Sequence, residues 1–349
     1  MCYQIGSNLK WTYSISKSNF AENLNACQPF FLESSGTLVV DSGVNYYVYP
    51  DLSCAEIGIG DNAQSAVYDK NSPPKTLNLK TSIEFNGVSY PVKTVKGHAF
   101  YKLKGVTSLT LPQNLEIIES FGFDMMDMTI ETVVLPTSLK YIGMHAFATS
   151  LISNFVIGSN VETIIHGAFC NNPVKKIIVS DDNNFFVHDK QYSLYNKEKT
   201  ILIAVTSFVK DFVVPNTVKM IWLKAFELNT LNSIVIPKNV TFENDVIFSY
   251  CYELKTITFY GNISQISSGS FIRLCPNLQT IYYFGNSQIP NRIIQNPNAV
   301  LKIVVSDSSI EYFSNIKTTM FHEYKKKEIT CKSIYYNFNL LSISVCIIM

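Results

Sequence analysis

Apolar residues along most of this chain come in two short bursts per cycle. One burst is a piece such as LEII (115–118), LKYI (139–142), VETI (161–164) or VKMI (218–221). The other is a segment such as SLTLP (108–112) or SIVIP (233–237), in which apolar and polar residues alternate. Alternation with a period of two is the mark of a half-buried β-strand. Between the bursts lie a turn and an Ala-Phe pair, in a stretch too short for more than a turn or two of helix. The pattern predicts short extended pieces joined by tight corners.

The cycle keeps time. The aromatic marker falls at Phe100, Phe123, Phe147, Phe169, Phe226, Phe248 and Phe271, in steps of 23, 24, 22, 57, 22 and 23. The strand-end marker falls at Pro112, Pro136, Gly158, Ser180, Pro215, Pro237, Tyr260, Phe284 and Ser306, in steps of 24, 22, 22, 35, 22, 23, 24 and 22. Both markers hold one period and stretch in the same place, which identifies an internal repeat. A single unit cannot bury its apolar side chains, whereas stacked units can, with strands about 4.8 Å apart. Nine such strands make a stack roughly 40 Å long. The Phe of each coil is then expected to stack on the Phe of the next. Proline at a strand end stops pairing, because it lacks an N–H and constrains the residue before it.

VETIIHGAF (161–169) and VKMIWLKAFELNTLNSIVIPKNV (218–240) resemble the BspA-type leucine-rich repeats. FSYCYELKTITF (248–259) places Cys251 and Leu254 in that pattern, and FIRLCPNLQTIYYF (271–284) shifts Cys275 and Leu278 by one residue. TSIEFNGVSYPVKTVKGHAF (81–100) is similar to the hairpin that leads into such arrays. The resemblance covers about residues 76–306. It implies a repeat solenoid of short stacked β-strands and short helical turns, and a non-catalytic protein-binding role such as surface adhesion or host and matrix contact. Three departures stand out: FGF replaces the Ala-Phe pair at 121–123, coils three and four end at Gly158 and Ser180 in place of the strand-ending proline, and the cycle is interrupted near 184–210. There QYSLYNKEKTILIAV (191–205) predicts a β-hairpin about Asn196–Lys199, an insertion whose removal is expected to leave the array folded.

Residues 1–75 lack the repeat. SGTLVVDSGVNYYVYP (35–50) and AEIGIG (55–60) read as strands, so this segment is expected to be a β-rich cap on the solenoid of about nine coils at 76–306. A tail follows at 307–349, ending in the apolar segment 333–349, for which a terminal strand is favoured over a membrane anchor. The N-terminal stretch shows no charged region followed by an apolar run, so no secretory signal is expected there. The resemblance favours a cell-surface or extracellular protein; the alternative is an intracellular interaction scaffold.

Composition removes other classes. Hydrophobic residues make up 47% of the 349 residues and charged residues 16%, the balance of a folded chain. The net charge is +1, without the clustered Lys and Arg that nucleic acid demands. Eight cysteines occur without any CxxC pair, and they are read mainly as small buried hydrophobes. Cys251 and Cys275 share a register on adjacent coils, where free thiols are favoured over a disulfide. His98 and His145 share a register too, but Phe121 intervenes, so a metal is not expected. Asp124 and Asp127 lie near each other with nothing to shift their pKa values. No nucleophile elbow or phosphate loop occurs. No catalysis and no cofactor are expected; an enzyme within the first 75 residues is the remote alternative. Two glycosylation sequons begin at Asn239 and Asn262.

The strands themselves carry the candidate site. Residues one and three before each strand-end marker are apolar and should face the core. Residues four before it face outward and are polar: Ser108, Thr132, Asn154, Lys176, Asp211, Ser233, Thr256, Thr280 and Lys302. Residues two before it also face outward, yet they read Thr110, Val134, Val156, Ile178, Val213, Val235, Thr258, Tyr282 and Val304. β-Propensity accounts for branched residues on a pleated surface. The alternative is a ridge for a protein or surface-glycoprotein ligand, carried by Val134, Val156, Ile178, Val213, Val235 and Tyr282.

Overall fold

The computed structural model describes residues 36–320, apart from 60–62, 129, 228, 244–246, 264–265, 267–270, 288–292, 296–299, 307–309 and 314–315. The apolar segment 333–349 lies outside the described residues. The chain is a β-solenoid of about nine turns, almost without helix. It divides into two compact units, one of residues up to Phe169 with Val179–Phe185, the other of Cys170–Ile178 with residues from Phe186 onward.

In the first unit, the strands Thr37–Asp41, Val44–Tyr49 and Cys54–Ile57 pair antiparallel in sequence. Cys54–Ile57 then pairs in parallel with Val88–Val95. From there a parallel ladder runs through Ile117–Ile118, Tyr141–Ile142 and Thr163–Ile164. Val88–Val95 also forms the hairpin expected with Ser82–Phe85, closed by Asn86 and Gly87, both with positive φ, as a type I′ turn requires. The alternating strands form a second layer: Thr76–Asn78 pairs with Ser108–Thr110, and Thr132–Val134 with Asn154–Val156.

In the second unit, the alternating strands form one parallel run from Asp211–Val213 through Ser233–Ile236, Thr256–Phe259, Thr280–Tyr283 and Lys302–Val305 to Ile316–Met320. The predicted hairpin is present as Leu194–Asn196 against Ile201–Ala204, with Lys199 N–H donating to the Asn196 carbonyl at 2.9 Å. It is not a removable appendage. Ile201–Ala204 pairs in parallel with Met220–Ile221 as a rung of the repeat, and Tyr195 and Leu202 are buried in the unit's core. Deleting 191–203 would remove core, contrary to the sequence expectation.

The Ala-Phe segments close as hydrogen-bonded turns. The residue two before each Phe has positive φ at His98, Phe121, His145, Gly167 and Lys224, and the residue two after it at Lys102, Met125, Thr149, Asn171 and Tyr250. Left-handed residues on either side of the Phe stop any helix. The backbone instead bonds to the next coil. The N–H of Phe100 donates to Gly122, that of Phe123 to Ala146 and that of Phe147 to Ala168, at 2.8–2.9 Å. Glycine suits the FGF coil because a Cβ at Gly122 would meet three neighbours at 3.2–3.3 Å.

The Phe rings form the inner column that the repeat predicts. Phe100 and Phe123 stack at 5.2 Å, Phe123 and Phe147 at 5.2 Å, and Phe147 and Phe169 at 6.3 Å. In the second unit Phe226 stacks on Phe248 at 5.2 Å, but Phe271 meets Phe248 edge-on at 88°. That coil is the one whose cysteine and leucine are shifted by one residue, and its ring changes partner, with Phe242 against its edge at 4.9 Å.

A second column lies three residues after the Phe, where the side chain donates to a carbonyl of the preceding coil. Ser150 Oγ reaches Phe123 O at 2.6 Å, Asn229 Nδ2 reaches Val205 O at 2.8 Å, and Cys251 Sγ lies 3.2 Å from Phe226 O. Cysteine here fills a hydrogen-bonding position, not only an apolar one. Cys251 and Cys275 are buried thiols, and Cys170 is a partly exposed thiol outside any disulfide. Cys54, read with the other cysteines mainly as a small buried hydrophobe, is buried but disulfide-bonded.

Phe147 lies fully buried between two ring neighbours. Phe147→Ala is expected to cost about 3–5 kcal/mol, measured as a lowered urea midpoint. A loss under about 1 kcal/mol would remove the column from the core.

Candidate binding face

The outer face of the alternating strands carries two columns. Of the polar one, Asn154 Nδ2 donates to Thr132 Oγ1 at 3.1 Å in the first unit, and Ser233 Oγ to Asp211 Oδ1 at 2.5 Å in the second. Register explains these contacts, because Thr132 opposes Asn154 and Asp211 opposes Ser233. The apolar column keeps the same register one residue pair further on: Val134 opposes Val156, and Val213 opposes Val235, which opposes Thr258.

Exposure within that column is uneven. Val134 is 63% exposed, Val213 57% and Ile178 38%. Val156 and Val235 are half-buried. Tyr282 is only 7% exposed and Val304 is fully buried. The expectation of outward exposure therefore fails at the last two coils, where the Tyr282 ring stacks on Phe284 at 6.4 Å. In the second unit the exposed part of the column is Val213 with its half-buried neighbours Val235 and Thr258; in the first it is Val134 with Val156.

The other groups singled out in the sequence are built into the turns. The His98 ring stacks on Phe121 at 4.8 Å, and Phe121 meets His145 edge-on at 5.2 Å. Phe121 thus occupies the space between the two imidazoles. Among the described residues no group of three or more His, Cys, Asp or Glu side chains is placed to hold a metal ion. Asp124 is buried whereas Asp127 is exposed. Asn239 is an exposed sequon residue with φ of 65°. Asn262 is occupied: its Nδ2 donates to Asn286 Oδ1 at 2.9 Å, and its Oδ1 accepts from the Asn286 N–H at 2.8 Å.

One carboxyl escaped the sequence reading. Glu56 lies 2% exposed on Cys54–Ile57, opposite Thr94. It sits in the apolar stretch CAEIGIG (54–60), and a charged residue inside a buried strand was the available signal. Burial pushes its pKa up to about 7; the Glu119 carboxylate adds to this, while the Lys96 ammonium and the Tyr49 and Thr94 side chains oppose it. Glu119 is held by Lys96 Nζ at 2.6 Å and the Gly97 N–H at 2.8 Å. Beside them Glu116 is bracketed by Lys93 Nζ at 3.0 Å and Lys140 Nζ at 2.9 Å. These pairs link successive coils.

Comparison with known proteins fits this geometry. The model of the BspA type leucine rich repeat region matches in six copies, over residues 76–199 and 205–301. The chain belongs to the BspA-type leucine-rich-repeat family. A leucine-rich repeat protein from Eubacterium ventriosum shares the fold at 21% identity and a TM-score of 0.51, covering 77% of this chain and 85% of its own. The pneumococcal vaccine antigen PcpA aligns at 17% identity and a TM-score of 0.41, over 81% of this chain and 98% of its own. A leucine rich cell surface protein from Faecalibacterium prausnitzii aligns at 16% identity and 0.45, over 83% and 95%. No curated protein matches. Leucine-rich-repeat arrays generally mediate protein interactions, and the family is typically non-catalytic. No helix among the described residues is long and apolar enough to cross a membrane.

The raised Glu56 pKa has a definite sign in stability. Below about pH 4.5 the carboxyl is neutral folded and unfolded, and the stability it contributes is fully present. Between there and about pH 7 only the unfolded chain ionises, so stability falls, by about 3 kcal/mol in total. Glu56→Gln should flatten this loss in denaturant midpoints taken from pH 4.5 to 8. Parallel curves for the two proteins would contradict the assignment.

Proposed function

We propose that this chain is a non-catalytic adhesion module of the cell surface, binding a protein or glycoprotein of a host cell or matrix through the outer face of its alternating strands. The carrying observation is the exposure of branched apolar side chains at Val134, Ile178 and Val213 beside a hydrogen-bonded polar column. Exposed apolar surface rimmed by polar groups favours protein contact. In the first unit Val156 widens this surface beside Val134; in the second Val235 does so beside Val213, and Tyr282 contributes at the buried margin. In this reading the strands of residues 36–57 cap the first coil, so that the array ends without an exposed core.

The test separates the face from the fold. Val213→Lys with Val235→Lys adds two charges outside the core, at up to about 1 kcal/mol of lost β-propensity per site. Folding should survive. Binding of the labelled protein to an epithelial cell layer should fall at least tenfold, about 1.4 kcal/mol. Ser233→Lys on the polar column should change binding less. A folded double variant that binds like the wild type sinks the proposed face, and a native protein that surface biotinylation reaches only after lysis favours an intracellular scaffold.

A further inference from the structure

Two thiols meet in the second unit. Phe248 opposes Ile272 and Ser249 opposes Arg273 in a parallel pair, and Tyr250 N–H continues the ladder to Arg273 O at 3.0 Å. The same offset of 24 brings Cys251 opposite Cys275. Adjacent strands lie about 4.8 Å apart, inside the roughly 4.4–6.8 Å between α-carbons that a disulfide accepts.

The side chains agree with the register. Cys251 Sγ lies 3.2 Å from Phe226 O and 3.7 Å from Ser249 O. Cys275 Sγ lies 3.6 Å from Phe248 O and 3.4 Å from Arg273 O, turned toward the coil that carries Cys251. We propose that Cys275 and Cys251 form an oxidation site, in which hydrogen peroxide converts the pair to a disulfide joining adjacent coils.

The two thiols have different tasks. Cys251 is 1% exposed and Cys275 6%, so a water-sized oxidant meets Cys275 first. The neighbouring Cys251 thiol also holds the Cys275 thiol below its usual range, while Cys275 and burial together push Cys251 above it. The thiolate is the nucleophile. Cys275 sulfur attacks one peroxide oxygen; the S–O bond forms, the O–O bond breaks, and hydroxide leaves to become water. Cys251 then attacks the sulfenic sulfur, its proton passing to the departing oxygen as a second water. Two thiols and one peroxide give one disulfide and two waters, with two electrons moving from sulfur to oxygen. Turning Cys251 Sγ toward Cys275 gives up only a weak thiol hydrogen bond to Phe226 O.

The test uses the full chain, reduced, freed of reductant and exposed to hydrogen peroxide under native conditions. Trypsin cuts after Lys255 and Arg273, which puts the two cysteines on separate peptides. The expected product is that peptide pair joined and lighter by two hydrogens. In Cys251→Ser, dimedone should capture Cys275 as the sulfenic acid. Serine at 251 can still donate to Phe226 O, as Ser150 does to Phe123 O, which favours its folding. In Cys275→Ser, Cys251 should stay unlabelled. The proposal is overturned if both cysteines remain alkylatable at a dose that oxidises the partly exposed Cys170, if either cross-links to another cysteine, or if dimedone labels Cys251 in Cys275→Ser. The wild-type cross-link decides the matter should either variant fail to fold.

Discussion

The parallel backbone ladder between one coil and the next is the constraint on which the rest depends. Each N–H that bonds to the following coil fixes that coil's register, and within a unit every position faces its counterpart about 4.8 Å away. A choice made once must then suit its neighbour. A Phe at one rung sits over a Phe at the next, as in the Phe100–Phe123–Phe147 stack at 5.2 Å per step. Where the sequence slips by one residue, at Phe271, the stack turns edge-on although the ladder beside it continues. The backbone register therefore outranks the ring geometry.

The corners follow from the same ladder. A helix would turn its N–H groups inward along its own axis, whereas stacked coils need them directed at the neighbour. Left-handed residues such as His98, Phe121 and His145 aim them there. The carbonyls left at the corner are met by whichever short donor occupies the register three after the Phe: a hydroxyl at Ser150, an amide at Asn229, a thiol at Cys251. Three chemistries meet one need, because a buried carbonyl without a donor costs about 1–3 kcal/mol.

Periodicity made the fold legible, because a repeat writes its register into the sequence. The Phe column, the alternating strands and the hairpins at Asn86–Gly87 and Asn196–Lys199 all follow from spacing and turn chemistry. What spacing does not encode is what lies over a residue. Tyr282 and Val304 occupy outward positions by alternation and are nonetheless buried. Likewise the 191–203 segment looks like an addition by length, yet Ile201–Ala204 is a rung of the ladder. Left-handed φ at His98 or Lys224 leaves no trace either, because neither residue is glycine. Glu56 escaped for a related reason: its single charge breaks no period.

The apolar outer column is informative because a control runs beside it. On each of these strands the residues two and four before the strand end face the same way and meet the same demand for pleated, branched side chains. If propensity alone chose them, the two columns would have similar composition, with Thr serving both. Thr does occur in both, at Thr132, Thr256 and Thr280 and at Thr110 and Thr258, but the columns still part: on four strands one reads Thr132, Asn154, Asp211 and Ser233, the other Val134, Val156, Val213 and Val235. Burial explains valine over threonine at Val304 but not at Val134 or Val213, each more than half exposed. At those two positions methyl groups stand in water where a hydroxyl would serve the strand equally well. The adhesion proposal rests on that difference between columns, and the paired substitutions at Val213 and Ser233 probe it within one unit.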